Sequence, residues 1–516
     1  MISPISMDKA SSILYTLNNN DMLSASFVDV FGMDTPRTIV EFNNRGKQAG
    51  IEMAFREYSS TLISVFSPAA FALVASKIAN KFINPDVKAN PSLWATDKSL
   101  NVFNSIYQSS DKTKRGFVEN SLNSMSGLVG HEVKSFADVH PEDKKVIVDD
   151  FLELINNGNL TKKQAEALEV KIKDGIITSL GADNNIFLKH GEHELTSNLS
   201  HSVRDIKDLA KNVFFNAEGT NPDTIIDKLK KINKTRIGFA IPLAMLLGIT
   251  NQYINRQWTK KRTGIDNFVG ENGYENNVNQ KKEAKEEKGL WFKKLASAGI
   301  FSAMVIKTMG VKKPSELISK LEFDGPVTSG NAIKAVYGTL IVGRMLAAKD
   351  STELRETNVR DYLGFLNWLV LGGFVSKGVA KLMDKKEDVL FNVSKKGKGV
   401  SHFLNDISLK SHKEIIAQGG DIQGNLKKLN KASLAGMGYS FLMLGVLLPK
   451  FNIWMTKNYD KFFNKNKAEK DDTNGKTDNL SSKTFVKSSI NSDILNSKDV
   501  KYAIKPDMKD FIKQVS

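Results

Sequence analysis

The sequence predicts an all-α protein: a multi-pass membrane helical bundle of three to six apolar helices, with a soluble helical domain and a disordered basic tail. Three observations predict it. Long runs without a single charge are bounded by basic or acidic residues. A polar stretch of domain size separates the first two runs and carries apolar residues at helical spacing. The chain then closes on a segment rich in Lys, Asn, Asp and Ser.

Composition sets the limits. The 516 residues are enough for roughly three or four domains of about 150 residues each. With 41% hydrophobic and 25% charged residues, the chain is not disordered throughout. Its lack of cysteine excludes a disulfide scaffold, thiolate-bound zinc or iron–sulfur clusters, and a cysteine nucleophile. The net charge of +16 comes from 73 basic and 57 acidic residues, and 62 of the basic ones are lysines. Nucleic-acid surfaces favour arginine for forked contacts, so this balance disfavours nucleic acid as a partner. Lys- and Asn-rich composition is what an AT-rich genome writes by default. Anionic lipid headgroups are the next reading of the excess.

Residues 1–57 form a polar N-terminal segment. Asp8 and Lys9 come early and no apolar core of signal-peptide length follows them. Asp34–Pro36 reads as a turn, and Thr38–Ser60 as a helix entering the first apolar run. That run, 58–76, is the first membrane helix, with a kink at Pro68.

Residues 77–236 are expected to be a soluble helical domain. Ile147, Phe151, Leu154 and Ile155 share one helical face, and Asn156–Asn159 is a turn. Thr161 then caps a helix, with Gln164 as its reciprocal partner and Ala165, Leu168, Ile172 and Ile176 as its stripe. Asn221-Pro222 is another helix start, leading through Ile225, Leu229 and Ile232 into the second run.

Residues 237–449 make up the membrane region, with apolar segments 237–255, 295–311, 332–349, 362–383 and 432–449 joined by polar loops. About 20 residues are needed to cross roughly 30 Å of hydrocarbon. Runs 58–76, 237–255 and 432–449 meet this or nearly do, and 362–383 meets it if Lys377 and Lys381 snorkel. The other two read as membrane-associated or core helices. Trp258, Trp291 and Trp454 flank apolar segments, where indole rings settle at an interface. Gly299 and Ala303, and likewise Ala432, Gly436 and Ser440, form ladders of small residues suited to close helix packing. Residues 263–289 read as a loop and a charged helix start. Residues 450–516 are a basic, partly disordered tail, disordered over 464–489 and only transiently helical over 490–516.

Arg344, Asp350, Glu353, Arg355, Glu356, Arg360 and Asp361 crowd around the start of one apolar segment and predict an interfacial ion-pair network. Such a network can hold a helical hairpin together or gate a path. Asp350 is placed to cap the helix, and Glu356 and Arg360 are spaced as an i,i+4 pair.

Other chemistry is sparse. His190, His193 and His201 are the metal candidates, but the first pair has i,i+3 spacing around Gly191, not the i,i+4 of a zincin helix. Gly338 and Gly343 have phosphate-loop spacing, but Arg344-Met345 replaces the required Lys-Ser/Thr. No catalytic residue and no cofactor are expected. The leading expectation is a non-catalytic integral membrane protein with a structural, scaffolding or envelope-interaction role. Its partners would be the lipid bilayer and a protein partner or second copy. Basic residues fall on both sides of the spans, so orientation rests on a provisional cytoplasmic N-terminus in a prokaryotic inner or plasma membrane. The alternatives are a channel or transporter, with Asn251, Gln252 and Asn367 as path-lining groups, and a soluble or peripheral lipid- or protein-binding protein.

Overall fold

The computed structural model describes residues 5–264 and 288–463. The expectations for residues 265–287, 464–489 and 490–516 lie outside the described residues. Residues 1–456 form one unit, and of the second, 457–516, only the end of one helix is described. Most of the chain is helical, with few strands.

The N-terminal segment departs from its expected form. Asp8 caps α1 (Lys9–Asn18), and Asn20 caps α2 (Asp21–Phe27). The latter runs through a π-helical turn at Val28–Asp34 into α3 (Thr35–Arg45), making one continuous helix where a polar segment with a turn at Asp34–Pro36 was expected. Gly46, at φ +88°, then breaks the expected 38–60 helix in two. α4 (Lys47–Thr61) continues through a π turn at Leu62–Phe66 into α5 (Ser67–Phe82).

Proline explains three of the π turns. A proline inside an α-helix lacks an N–H and its ring collides with the carbonyl four residues back. Pro36, Pro68 and Pro449 each follow a π turn by two residues, and the wider turn relieves that collision without ending the helix. The sequence cue was read as a turn at the first and a kink at the second.

The polar region between the first two long helices contains α6 (Asp97–Ser109), α7 (Lys114–Asn123), α8 (Pro141–Asn156), α9 (Lys162–Leu180) and α10 (Leu199–Leu209). It is not wholly helical. β1 (Met125–Val129), β2 (Glu132–Ser135), β3 (Ile186–His190) and β4 (His193–Ser197) form an antiparallel sheet in the order β2-β1-β3-β4. Gly130 and Gly191, both at positive φ, open two-residue hairpin turns. Phe103, Phe117, Phe136, Phe151, Ile172 and Ile176 are wholly buried at the centre of this domain. The Thr161–Gln164 capping box forms.

α11 (Pro222–Thr263) belongs to two cores. Asn221 caps it, and Ile225, Leu229 and Ile232 pack in the soluble domain. Ile237, Ala240 and Ile241 pack among the apolar helices. At 1.5 Å per residue, its 42 residues span about 63 Å.

Beyond it come α12 (Leu290–Thr308), α13 (Glu316–Lys320), α14 (Gly330–Ala347) and α15 (Ser351–Leu366). A π turn at Asn367–Leu371 joins α15 to α16 (Gly372–Met383). A second polar region holds α17 (Gly399–Asn405), α18 (His412–Gln418) and a small sheet of β5 (Phe391–Val393) with β6 (Ile407–Leu409). α19 (Ile422–Leu442) then runs through a π turn at Met443–Leu447 into α20 (Leu448–Phe463).

Four helices are long and apolar enough to cross a membrane: Lys47–Phe82, Pro222–Thr263, Ser351–Met383 and Ile422–Thr456. Less than half of each apolar window is buried. Leu73, Leu246, Ile254, Leu442 and Leu447 point outward. α14 is different. It is buried on nearly every face and packs against α11, α12 and the Leu62–Phe66 turn.

The polar regions gather at one end of this bundle. Gly130 exchanges hydrogen bonds with Asn392 and Val393, Glu414 accepts from the backbone of Asp183 at 2.8 Å, and Lys413 pairs with Asp174. Tyr15 of α1 donates to Asp183 at 2.9 Å, and Arg204 reaches Asp324 in the α13–α14 connection.

Candidate functional site

α3 is partly inverted. Ile39 and Phe42 are exposed at 52% and 37%, while Arg37, Glu41 and Arg45 are buried beside Val40. A surface helix in water shows the reverse pattern. The buried charges meet others from α4, α14 and α15 to form a polar column among the apolar helices.

Glu57 is its hub. No part of this residue is exposed, and Arg37, Arg56 and Arg344 approach it at 3.5, 3.4 and 3.6 Å. Arg344 also pairs with Asp361 at 3.2 Å and donates to Ser60 at 2.7 Å. Arg360 pairs with Asp361 at 2.9 Å. Arg37 Nε donates to the Leu444 carbonyl at 2.9 Å, within the Met443–Leu447 π turn. A π turn breaks the regular i→i−4 ladder, which accounts for a backbone carbonyl serving a buried guanidinium.

Toward the α3–α4 junction, Arg45 bridges Glu41 at 3.3 Å and Glu356 at 2.7 Å. Thr456 donates to the Glu356 carboxylate and Asn452 to its backbone carbonyl. Further along, Arg256 pairs with Glu353, whose other oxygen accepts from the Lys349 N–H at 2.8 Å. In the opposite direction the column ends on Asp29 and Asp34, whose Oδ2 atoms lie 3.1 and 2.9 Å from the Thr61 hydroxyl.

The sequence-predicted network is therefore rearranged. Arg344, Arg360 and Asp361 come together, but Glu356 pairs with Arg45 instead of Arg360, and Glu353 with Arg256. Asp350 caps α15 through the Glu353 N–H, and Arg355 is only half-buried. Sequence reasoning missed Asp29, Asp34, Arg37, Glu41, Arg45, Arg56 and Glu57. The available signal was the Arg37–Glu41–Arg45 spacing, which aligns three charges on one helical face.

The small-residue ladders divide. Ala432, Gly436 and Ser440 face Gly372 and Ser376 across the α16–α19 contact. A Cβ on Gly436 would lie 2.6 Å from the Gly372 carbonyl oxygen. Gly299 and Ala303 instead face outward, and a Cβ on Gly299 would meet nothing within 4 Å; Ala298, Phe301 and Val305 form the packed face of α12. Within the single chain that ladder meets no neighbouring helix, and the other apolar face of α12 makes the contacts. Sequence reasoning also missed the close approach of α11 and α14. A Cβ on Gly343 would lie 2.8 Å from Ile249 Cα, and one on Gly248 would lie 2.6 Å from Thr339 Oγ1.

The histidines do not converge. His190 and His193 pair across the β3–β4 hairpin, and His190 Nε2 lies 2.7 Å from Ser109 Oγ. His201, on α10, pairs with Asp324 at 2.6 Å. Among the described residues, no group of three or more His, Cys, Asp or Glu is placed to hold a metal ion. Of the polar groups in the apolar runs, Asn251 donates to Ser59 at 3.0 Å and Asn367 accepts from Tyr439 at 2.6 Å, while the buried Gln252 Oε1 has no hydrogen-bond partner.

Comparison with protein-family models, curated proteins and solved structures finds no match to this chain.

Proposed function

We propose that this chain is an integral protein of a prokaryotic inner or plasma membrane with a non-catalytic, structural role. The helices form a rigid base that holds the two polar regions at one face of the bilayer. The inverted polarity of α3 carries this reading. Burying Arg37, Glu41 and Arg45 in ion pairs while exposing Ile39 and Phe42 is favoured where the surroundings are hydrocarbon. Outward Leu246, Ile254, Leu442 and Leu447 on the long helices agree with it.

Rigidity rests on α11 and on one residue at its waist. Arg236, 1% exposed, donates to Ser76 Oγ at 2.7 Å, to Asn233 at 2.8 Å and to the Leu93 carbonyl at 2.7 Å. Its guanidinium also stacks 4.0 Å from the Trp94 ring centre. These bonds join α5, α11 and the 91–94 loop where the soluble domain meets the bundle. The outward face of α12, with Trp291, Phe292, Ile300 and Gly299, is left for lipid or a second copy.

Extraction of the membrane fraction with alkaline carbonate tests this reading. Retention in the pellet is expected, and release into the supernatant would remove it. A second reading, a channel or transporter, is favoured by the charge buried at mid-length in the helices. Solute and proton flux in proteoliposomes separates the two: the structural reading expects none above that of protein-free vesicles.

A further inference from the structure

We propose that Asp29 and Asp34 form a proton-binding site in which the two side chains hold one proton between them on the Thr61 hydroxyl. This goes beyond the structural reading and does not require anything to cross the membrane.

The argument is a count of hydrogens. The Oδ2 atoms of both aspartates contact Thr61 Oγ1, at 3.1 and 2.9 Å. A hydroxyl has one hydrogen to donate, and an ionised carboxylate has none. One hydrogen shared between two carboxylates gives only a weakened, bifurcated bond, whereas a proton on one of them, donated to Oγ1, satisfies both contacts. The remaining oxygens, Asp29 Oδ1 and Asp34 Oδ1, are buried without a hydrogen-bond partner, and both residues are wholly unexposed. Water is thus not at hand to stabilise two charges.

The surroundings favour the same state. Arg37 from α3, Glu57 from α4, and Tyr337 and Arg344 from α14 are the titratable or charged groups near the pair. Arg37 and Arg344 are already engaged by Glu57, and Arg344 also by Asp361. The helix packed on the opposite side presents Phe441 and Gly445 to Gly32 and Pro36, with no charge. Close to the pair, the carboxyl groups of Asp29, Asp34 and Glu57 face the guanidiniums of Arg37 and Arg344 in a space closed to water. Protonation removes a surplus negative charge that burial makes unfavourable. Two aspartates on one π-helical turn are held on the same side of the helix, so the pair titrates as a unit.

Infrared spectroscopy of the full-length protein in lipid vesicles tests this site. At neutral pH a carboxylic-acid C=O band is expected, moving in D2O and on labelling aspartate with 13C at the side-chain carboxyl. Asp29→Asn and Asp34→Asn should each abolish it, because either leaves a single carboxylate that Thr61 satisfies alone. If the asparagine variants fail to fold, Asp29→Glu and Asp34→Glu should each shift the band. No acid band at neutral pH overturns the proposal. So does a band unaffected by aspartate labelling, or one unchanged in every variant that folds.

Discussion

At the residue scale, the arginines and carboxylates of the column act by pairing. A buried pair contributes little beyond the desolvation of its members, but removing one member strands the other. Arg344→Ala leaves Asp361 and Glu57 short of a partner and is expected to destabilise the bundle by about 3–5 kcal/mol. Arg256 and Glu353 are a more isolated pair, so Arg256→Met with Glu353→Leu should be less damaging than Arg256→Ala alone. Denaturation in mixed micelles followed by circular dichroism compares them, and a double variant worse than the single contradicts the pairing account. A separate case lies outside the long helices. His402 contacts Glu387 at 3.0 Å and Asp406 at 3.2 Å. The Glu387 hydrogen bond raises its pKa, burial opposes this, and Asp406 adds to the rise. A folded pKa above the unfolded value of about 6.5 means this stabilisation is complete below that pH and is lost as pH rises through the folded value. Hydrogen exchange in β5 and β6 should therefore accelerate as pH rises above about 6.5, beyond the intrinsic trend. His402→Gln should remove that excess.

At the element scale, the two small-residue ladders make opposite predictions. Gly436 lies against Gly372 and Ser376, so Gly436→Leu forces α16 and α19 apart and is expected to cost about 1–3 kcal/mol. Gly299→Leu points into open surroundings and should leave the stability of the single chain within about 0.5 kcal/mol. Thermal unfolding of both variants in the same detergent checks the contrast. Equal losses would place Gly299 in a contact, which a second copy would have to supply. The π turns also belong to this scale. Pro36, Pro68 and Pro449 each sit two residues past one, and the wider turn keeps three long helices continuous through what a sequence reading takes as breaks.

At the scale of the whole molecule, the bundle sorts the connections between its two ends. The 83–221 region, the 384–421 region and α1 share one end. The α3–α4 junction at Gly46 and the end of α11 near Arg262 lie together at the other, where Arg262 bonds to Gln48. The natural chain has no cysteine, so single cysteines introduced by substitution report sidedness against a silent background. Ser12→Cys, Glu132→Cys and Lys395→Cys are expected to react with an impermeant maleimide from one side of sealed vesicles, and Lys260→Cys from the other. Labelling of Ser12→Cys with Lys260→Cys would mean that α2–α3 does not cross.

What local sequence determined is what acts over a few residues. Charge-free runs, capping residues and period-3.6 stripes marked the long helices, the Thr161–Gln164 box, the Asn221-Pro222 start and the Asp350 cap, because each signal and its partner lie within one or two turns. The Ala432–Gly436–Ser440 face was legible for the same reason. Tertiary structure decided the rest. Glu57 meets Arg344, and Arg45 meets Glu356, across some three hundred residues, a pairing that helical periodicity does not encode. The α2–α3 helix looked like a polar N-terminal segment because its buried charges find partners on helices far along the chain, which local sequence does not show. The strands β1–β4 escaped notice because segments of four or five residues gain stability from partners in register, not from their own composition.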